Sequence, residues 1–337
     1  MKHNVQEDSN TKLSWYEIVS KYNHPSSLRG AWQIVNSVGP FLIVWYFMYQ
    51  SLSVSYWLTI LLSFIAAGFS VRIFIIFHDC GHGSFYKSRQ WNKIVGSILG
   101  LFFFTPFWKW KISHDIHHQT VGNLDERGVG DVKTFTVKEY LKLPKSKRRF
   151  YKFYRHPLLM FPIGGLFIFL IQNRFSSKDR TVKEHLNVHL INLVMAAIIV
   201  GISLMIGFKA FILIELPILL IASAAGVSLF YIQHQFDDVQ WERKESWDYK
   251  TMALKGSSYF KLPKILQWFT GNIGIHHIHH LSPKIPNYYL QKCLSENEEF
   301  HIKPITIKNS FKSLRLRLWD EDKNQIVSFK SLQSNEN

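Results

Sequence analysis

Ten histidines fall into three short clusters and one outlier, each beside a long apolar run. The clusters are HDCGH (His78, His82), HDIHH (His114, His117, His118) and HHIHH (His276, His277, His279, His280); the outlier is His234, in YIQHQFDD. On a helix, residues three or four apart share a face. That rule gathers His78 with His82, then His114, His117 and His118, then His276, His279 and His280. Neutral imidazole is the commonest protein metal ligand. Uncoordinated histidines crowded this closely would repel when protonated and would waste buried polar groups. His277 departs from the helical face and reads as lying behind the ligands or exposed. His234 reads as a ligand at the same depth as the clusters. Nine imidazoles are too many for one ion, so two ions with four or five nitrogens each fit the count.

Imidazole suits zinc, copper, iron and nickel. Structural zinc favours closed four-ligand sites, commonly with cysteine. Here Cys80 and Cys293 form no CxxC pair, and Cys80 reads as a small packing residue. Neutral ligands leave the metals highly positive, which suits a pair of redox-active irons. Asp79 and Asp115 follow the first histidine of their clusters; they either orient ligands from behind or are plain polar surface. His3, His24, His156, His185, His189 and His301 read as solvated or packing residues.

The elements that must position these groups are apolar. The 337 residues are 47% hydrophobic and 15% aromatic, with a net charge of +16, and apolar blocks alternate with basic ones. Residues 31–50, 54–76, 187–207 and 210–232 each reach the length of a membrane span. The runs 94–107 and 157–171 are shorter and hold Pro106 and Pro162. The first would reach about 21 Å as a helix, against a hydrocarbon core of about 30 Å. Both read as re-entrant or interfacial helices. Arg72, near the end of the second span, is expected to snorkel to the interface, and Glu215 to sit at the other interface. The predicted architecture is an all-α integral membrane protein, with four transmembrane helices, short interfacial helices and a cytosolic helical cap carrying the histidines. It divides into a hydrophilic lead (1–30), a main domain (31–295) and a cytosolic tail (296–337) whose stretch FKSLRLRLWDED is expected on a surface.

The charges orient this scheme. Of 40 Lys and Arg residues, 4 lie in 1–30, 16 in 108–186 and 15 in 232–337, whereas the linkers 51–53 and 207–209 carry one between them. By the positive-inside rule both termini and the middle segment face the cytoplasm. Four crossings then put every histidine cluster on one side of the cell membrane. The polar first thirty residues do not resemble a cleavable signal peptide. No nucleic-acid-binding signature accompanies the basic charge.

With these residues in view, the chain resembles the membrane fatty acid desaturases. That family carries HxxxH or HxxxxH, then HxxHH, then a distal HxxHH, with a further histidine before the third box. The boxes here read HDCGHGSF, HDIHHQT and GIHHIHHLSPKIPNY. The flanks GNLDERGVGD (122–131), YIQHQF (231–236) and GSSYFKLPKILQWFTGNIG (256–274) are most similar to Bacillus-type acyl-lipid desaturases of delta-5 type. The likeness spans most of residues 30–295.

The resemblance implies two irons that activate dioxygen and remove two hydrogens from an unactivated methylene pair in membrane phospholipid acyl chains. It places ligands at His78, His82, His114, His117, His118, His234, His276, His279 and His280. In stearoyl-type relatives an asparagine four residues before the extra histidine completes one iron through water; here that position is Phe230, and Asn272 is an alternative for a tenth ligand. The aromatic run Phe102, Phe103, Phe104, Phe107, Trp108 and Trp110 either lines an acyl tunnel or forms an interfacial belt, while Lys109 and Lys111 are candidates to meet lipid phosphates. Electrons are expected from an external acidic carrier such as ferredoxin or flavodoxin, which a basic face attracts; the same face attracts anionic lipid. The boxes overlap those of lipid and alkane hydroxylases, so hydroxylation is an alternative outcome, as is attack at another carbon such as the delta-12 position. A divalent-metal transporter would need ionisable groups through the bilayer, and the spans hold almost none away from their ends.

Overall fold

The computed structural model describes residues 14–176 and 181–335, so the expectation for His3 lies outside the described residues. Four long helices coincide with the four expected spans: Ser27–Ser51, Tyr56–His82, Val182–Ile206 and Phe208–His234. The second runs six residues past its expected end, which puts His78 and His82 on its last turn. Gly83 stops it with φ 65°, the left-handed conformation that closes a helix most easily without a Cβ. The fourth ends on His234 itself. The outer faces of these helices leave large apolar side chains such as Trp57, Leu61, Leu204 and Met205 more than 60% exposed, as contact with lipid requires.

The second helix is the axis of the packing. Ile73, Ile76 and Phe77 are fully buried against Phe41 of the first helix, Phe103 and Phe107 of the intervening segment, and Ile214 and Ile218 of the last. The apolar run at 94–107 is not one helix. It forms Arg89–Leu99, a 3-10 turn Gly100–Phe103 and a left-handed Phe104, and Pro106 then starts the helix Phe107–Thr120 that carries the second histidine cluster.

The other short run, 157–174, is long and apolar enough to cross a membrane, which makes five such helices among the described residues rather than four. Its backbone is irregular. Short α-helical pieces Pro157–Met160 and Pro162–Leu166 lead into a π-helical turn Phe167–Ile171 and a 3-10 turn Gln172–Arg174. Gly165 presses on Ser223, where an added Cβ would come within 2.8 Å. At the far end Arg174 donates to Asn192 Oδ1 at 2.7 Å and to the Phe104 carbonyl. Asn192 lies ten residues into the Val182–Ile206 helix, about 15 Å from its start.

Three expectations are corrected. Arg72 does not snorkel: it is 5% exposed, donates through Nε to Ser37 Oγ at 3.0 Å and to the Trp268 carbonyl, and lies 3.8 Å over the Trp268 ring. The helix Lys264–Phe269 folds back onto the second span and supplies that acceptor and ring. Glu215 is buried rather than interfacial and accepts from Trp45 Nε1 at 3.2 Å. The C-terminal stretch is not a surface strip. Leu318–Asp320 pairs in parallel with Phe135–Thr136 and antiparallel with Gln325–Val327, and Leu318 and Trp319 are almost fully buried. The alternating residues 314–317 lie in the turn and extended link before the strand, and Arg317 is buried with the two strand residues that follow it, while Phe311, Lys312 and Arg315 stay exposed.

This small sheet is pinned to the last span by two buried guanidinium groups sharing one phenol. Arg317 Nη1 lies 2.6 Å and Arg155 Nη2 3.3 Å from Tyr231 Oη, and Arg155 also reaches Gln235 Oε1, Thr134 Oγ1 and the Lys133 carbonyl. Hydrogen bonds to charged groups contribute about 1.5–3 kcal/mol each, and orphaning a buried charge costs more than a neutral bond returns. Tyr231→Phe is expected to destabilise the protein by about 2–3 kcal/mol, read as a lowered melting temperature of the purified full chain, while Phe236→Leu nearby leaves it within about 1.5 kcal/mol.

Candidate metal centre

Four segments deliver the histidines to one place: the end of the second long helix, the Phe107–Thr120 helix, the end of the last long helix, and the short helix His276–Leu281. Each helix presents its histidines on one face, as the spacing dictates. The nine expected residues converge in two adjacent groups. His78, His82, His114, His118 and His279 form one; His117, His234, His276 and His280 form the other. Within each group the candidate ligand atoms lie within 4.8 Å of one another. All nine residues are at most 9% exposed.

The distances test whether metal fits. His117 Nε2 lies 3.2 Å from His234 Nε2, which lies 2.9 Å from His276 Nε2, which lies 3.1 Å from His280 Nε2. In the other group His118 Nε2 is 3.1 Å from both His114 Nε2 and His279 Nε2. Imidazole–metal bonds of about 2.1 Å at right angles put neighbouring nitrogens about 3.0 Å apart. The tautomers carry the point further. His234 Nδ1 faces the Gly256 carbonyl at 3.2 Å, and His117 Nδ1 lies 2.9 Å from Asp131 Oδ1. Where both outer nitrogens carry the proton, the two Nε2 lone pairs face each other at 3.2 Å, an arrangement that a metal ion held between them would relieve. The buried Nε2 of His82 likewise has no protein partner. Burial first, then the neighbouring imidazoles, hold His114, His118, His276, His279 and His280 well below the usual histidine range, so they are neutral and ready to ligate.

The surrounding residues separate the open readings. Asp79 stands behind a histidine of the cluster: its Oδ1 is 3.2 Å from His78 Nδ1, and its Oδ2 accepts from both nitrogens of Asn287 at 2.7 and 2.8 Å. Asn287 is held in turn by Gln33 of the first span. Asp115 points elsewhere and pairs with Lys111 at 2.5 Å. His277 is fully buried, not exposed; its Nε2 lies 2.9 Å from the Phe300 carbonyl, and burial lowers it to about 4. Asn272 is outside the cluster and donates to the Asn287 carbonyl at 3.0 Å. Phe230 closes one side of the four-histidine group, its ring centre 5.0 Å from that of His117 and 4.9 Å from that of His234. Cys80 is a core packing residue, as expected.

Asp131 is the residue the sequence reading missed. It ends the loop GNLDERGVGD, whose signal was its glycines: Gly122, Gly128 and Gly130 all have positive φ. At Gly130 a Cβ would come within 2.7 Å of the Ser113 carbonyl and 3.0 Å of His117 Cβ, so the loop can press its carboxylate against the His117 ring only with glycine there.

A cavity of about 350 Å³ opens from the histidines into the apolar interior. His78 and His114 of one group and His276 of the other reach its wall, and Phe74, Phe103, Trp110, Phe169, Leu219 and Gly226 extend it. Of the aromatic run between the first two boxes only Phe103 and Trp110 line it; Phe102 packs edge-on to Phe41 and Phe107 belongs to the core. Lys109 also lines the cavity and donates to the Gln172 carbonyl.

A dry slot ending on two clusters of metal-ready nitrogens matches what the comparisons with known proteins find. The model of the family described as fatty acid desaturase matches residues 55–303. A Bacillus subtilis (strain 168) protein named "Fatty acid desaturase" is 46% identical over 315 residues, covering 93% of this chain and 90% of the relative. The "sn-1 oleoyl-lipid 12-desaturase" of Anabaena variabilis is 26% identical over 74% of this chain and 72% of the relative. An "Acyl-lipid omega-3 desaturase (cytochrome b5), endoplasmic reticulum" of Arabidopsis thaliana is 29% identical over 65% of this chain and 58% of its own length. The chain belongs to the fatty acid desaturase family, membrane oxidoreductases that act on lipid acyl chains.

Proposed function

We propose that this protein is a di-iron acyl-lipid desaturase of the cell membrane that introduces a cis double bond into phospholipid acyl chains at the delta-5 position. The ligands would be His78, His82, His114, His118 and His279 for one iron and His117, His234, His276 and His280 for the other. The observation that carries this reading is that one apolar cavity touches histidines of both groups. Desaturation is a redox reaction, which excludes zinc as the working metal; iron suits imidazole and is the metal the family resemblance implies. Bound iron would supply, from dioxygen, the oxidising power to take hydrogen from an unactivated methylene.

The chain's own residues supply position and dryness. Phe74, Phe103, Phe169 and Leu219 exclude water from a reaction that water would divert. Asp131, Asp79 and the Gly256 carbonyl hold three imidazoles in the orientation and tautomer that point Nε2 inward. Gly226 has open space where a Cβ would stand, which leaves room for methylenes one helical turn before Phe230.

On this reading four helices cross the membrane and both termini are cytoplasmic. His82 and His234 share one cluster region, so an even number of crossings separates them; the run 157–174 therefore enters and turns back, in keeping with the Arg174 contacts halfway along the Val182–Ile206 helix. The delta-5 assignment rests on the box flanks and the likeness to the Bacillus protein. We assign electron delivery to an acidic carrier such as ferredoxin or flavodoxin, drawn to the basic face, and we divide the chain into the lead 1–30, the desaturase domain 31–295 and the tail 296–337.

Expression in a host lacking unsaturated fatty acids, followed by mass spectrometry of derivatised methyl esters, is expected to give products two hydrogens lighter with the double bond at carbon five. A product one oxygen heavier would overturn desaturation, and a bond elsewhere would overturn the position. His117→Ala is expected to abolish that product and to lower iron from about two per chain. Asp131→Ala should leave the fold intact while weakening metal retention or activity about 10- to 100-fold, with Asp131→Asn recovering part of it; equal loss in both variants would mean that the carboxylate acts otherwise. Gly226→Leu should project into the cavity and cut turnover of long acyl chains at least about tenfold, a loss of roughly one methylene-pair contact or more, with iron content unchanged.

A further inference from the structure

We propose a second binding site, for the phosphate group of an anionic membrane lipid, in a cleft remote from the histidines. The cleft has a volume of about 230 Å³ and is lined by Lys145, Arg148, Arg149 and Lys152 over a floor that includes Tyr140 and Phe329. The four cations are i, i+3, i+4 and i+7 on the helix Lys145–Tyr154 and therefore share one face. Among the described residues no carboxylate lines the cleft. Among the described residues none of the four forms an ion pair, whereas Arg127, Lys138, Arg243 and Lys244 on the same cap each do. Like charges on one helix face repel, so the arrangement is poised for an anion. Arg148 Nε is fixed on the Leu143 carbonyl at 3.0 Å, and Lys152 Nζ sits 5.4 Å above the Phe329 ring. Both heads are thereby held at the cleft.

The source of the phosphate follows from the rest of the helix. Away from the cleft it exposes Phe150 and Phe153, 69% and 64% exposed, and the chain continues through Leu158, 75% exposed, into the apolar run 157–174. A basic face beside bare aromatic side chains, one residue pair from a membrane-buried segment, is the composition of a helix lying in the lipid interface. Basic pockets in that position bind anionic headgroups. The volume is below the roughly 300–1,000 Å³ of a drug-sized pocket, which fits a headgroup phosphate better than a whole cofactor. The site is independent of the metal and of the acyl specificity.

The test uses the full chain in detergent, with short-chain phosphatidylglycerol, short-chain phosphatidylcholine and inorganic phosphate as probes and thermal stability and native mass spectrometry as readouts. Phosphatidylglycerol is expected to raise the melting temperature and to be retained, the other two to do neither. In Arg148→Gln/Arg149→Gln/Lys152→Gln its apparent affinity should fall roughly a hundredfold, at about tenfold or less per removed charge. The charge-matched variant Lys303→Gln/Lys308→Gln/Lys312→Gln should bind as the parent does. Should the triple cleft variant fail to fold, Lys145→Gln/Lys152→Gln, both solvent-exposed, is expected to weaken binding at least tenfold. Equal binding of phosphatidylcholine, an equal response to inorganic phosphate, or equal loss in the charge-matched variant would each overturn the proposal.

Discussion

Buried imidazole nitrogens held about 3 Å apart are the constraint on which the rest of this structure depends. Their spacing is that of neighbouring nitrogens around a metal ion, and burial keeps water from solvating the rings. Everything around the cluster keeps those rings from turning away. Carboxylates and a carbonyl occupy the outer nitrogens of His78, His117 and His234, and packed aromatic rings, Trp110 on His114 and Phe230 on His117 and His234, fill the space a rotated imidazole would need.

The fold serves this arrangement at a particular depth. Two long helices end on histidines, so the site lies where the long apolar helices give way to the cap. The cavity runs from the site back among the helices, between the second and last spans and the irregular run 157–174. The cavity offers an acyl chain a largely apolar path to the histidines. The irregular run 157–174 leaves side chains such as Ile163, Phe167 and Ile171 about half exposed, and at its end Lys109 takes up the Gln172 carbonyl, in keeping with the rule that non-helical backbone at membrane depth finds partners within the protein.

Polar clamps outside the metal centre tie the cap to the spans. Arg72 joins the first and second helices to the segment before the third histidine box. Arg155 and Arg317 tie the strand-forming C-terminal segment to Tyr231, three residues from His234. Such charged groups carry little net stability, because desolvation offsets much of what they gain, but breaking one partner is costly. Their value here is register: they fix which turn of each helix faces the site.

The sequence by itself determined the long helices, the histidine faces and their convergence on one end of the molecule. These follow from local rules: apolar length sets a span, and three- or four-residue spacing sets a face. It left Asp79 and Asp115 equivalent, since both occupy the same place in their motifs. Tertiary structure alone separated them, because Asn287 lies 208 residues from Asp79 and nothing local announces the contact. The same holds for Asp131, which a loop folds over His117, for the burial of Arg72, which waits on a carbonyl 196 residues away, and for the division of nine histidines into groups of five and four. Spacing tells which rings look the same way along one helix. Only the packing of four segments against each other decides which rings look at the same point.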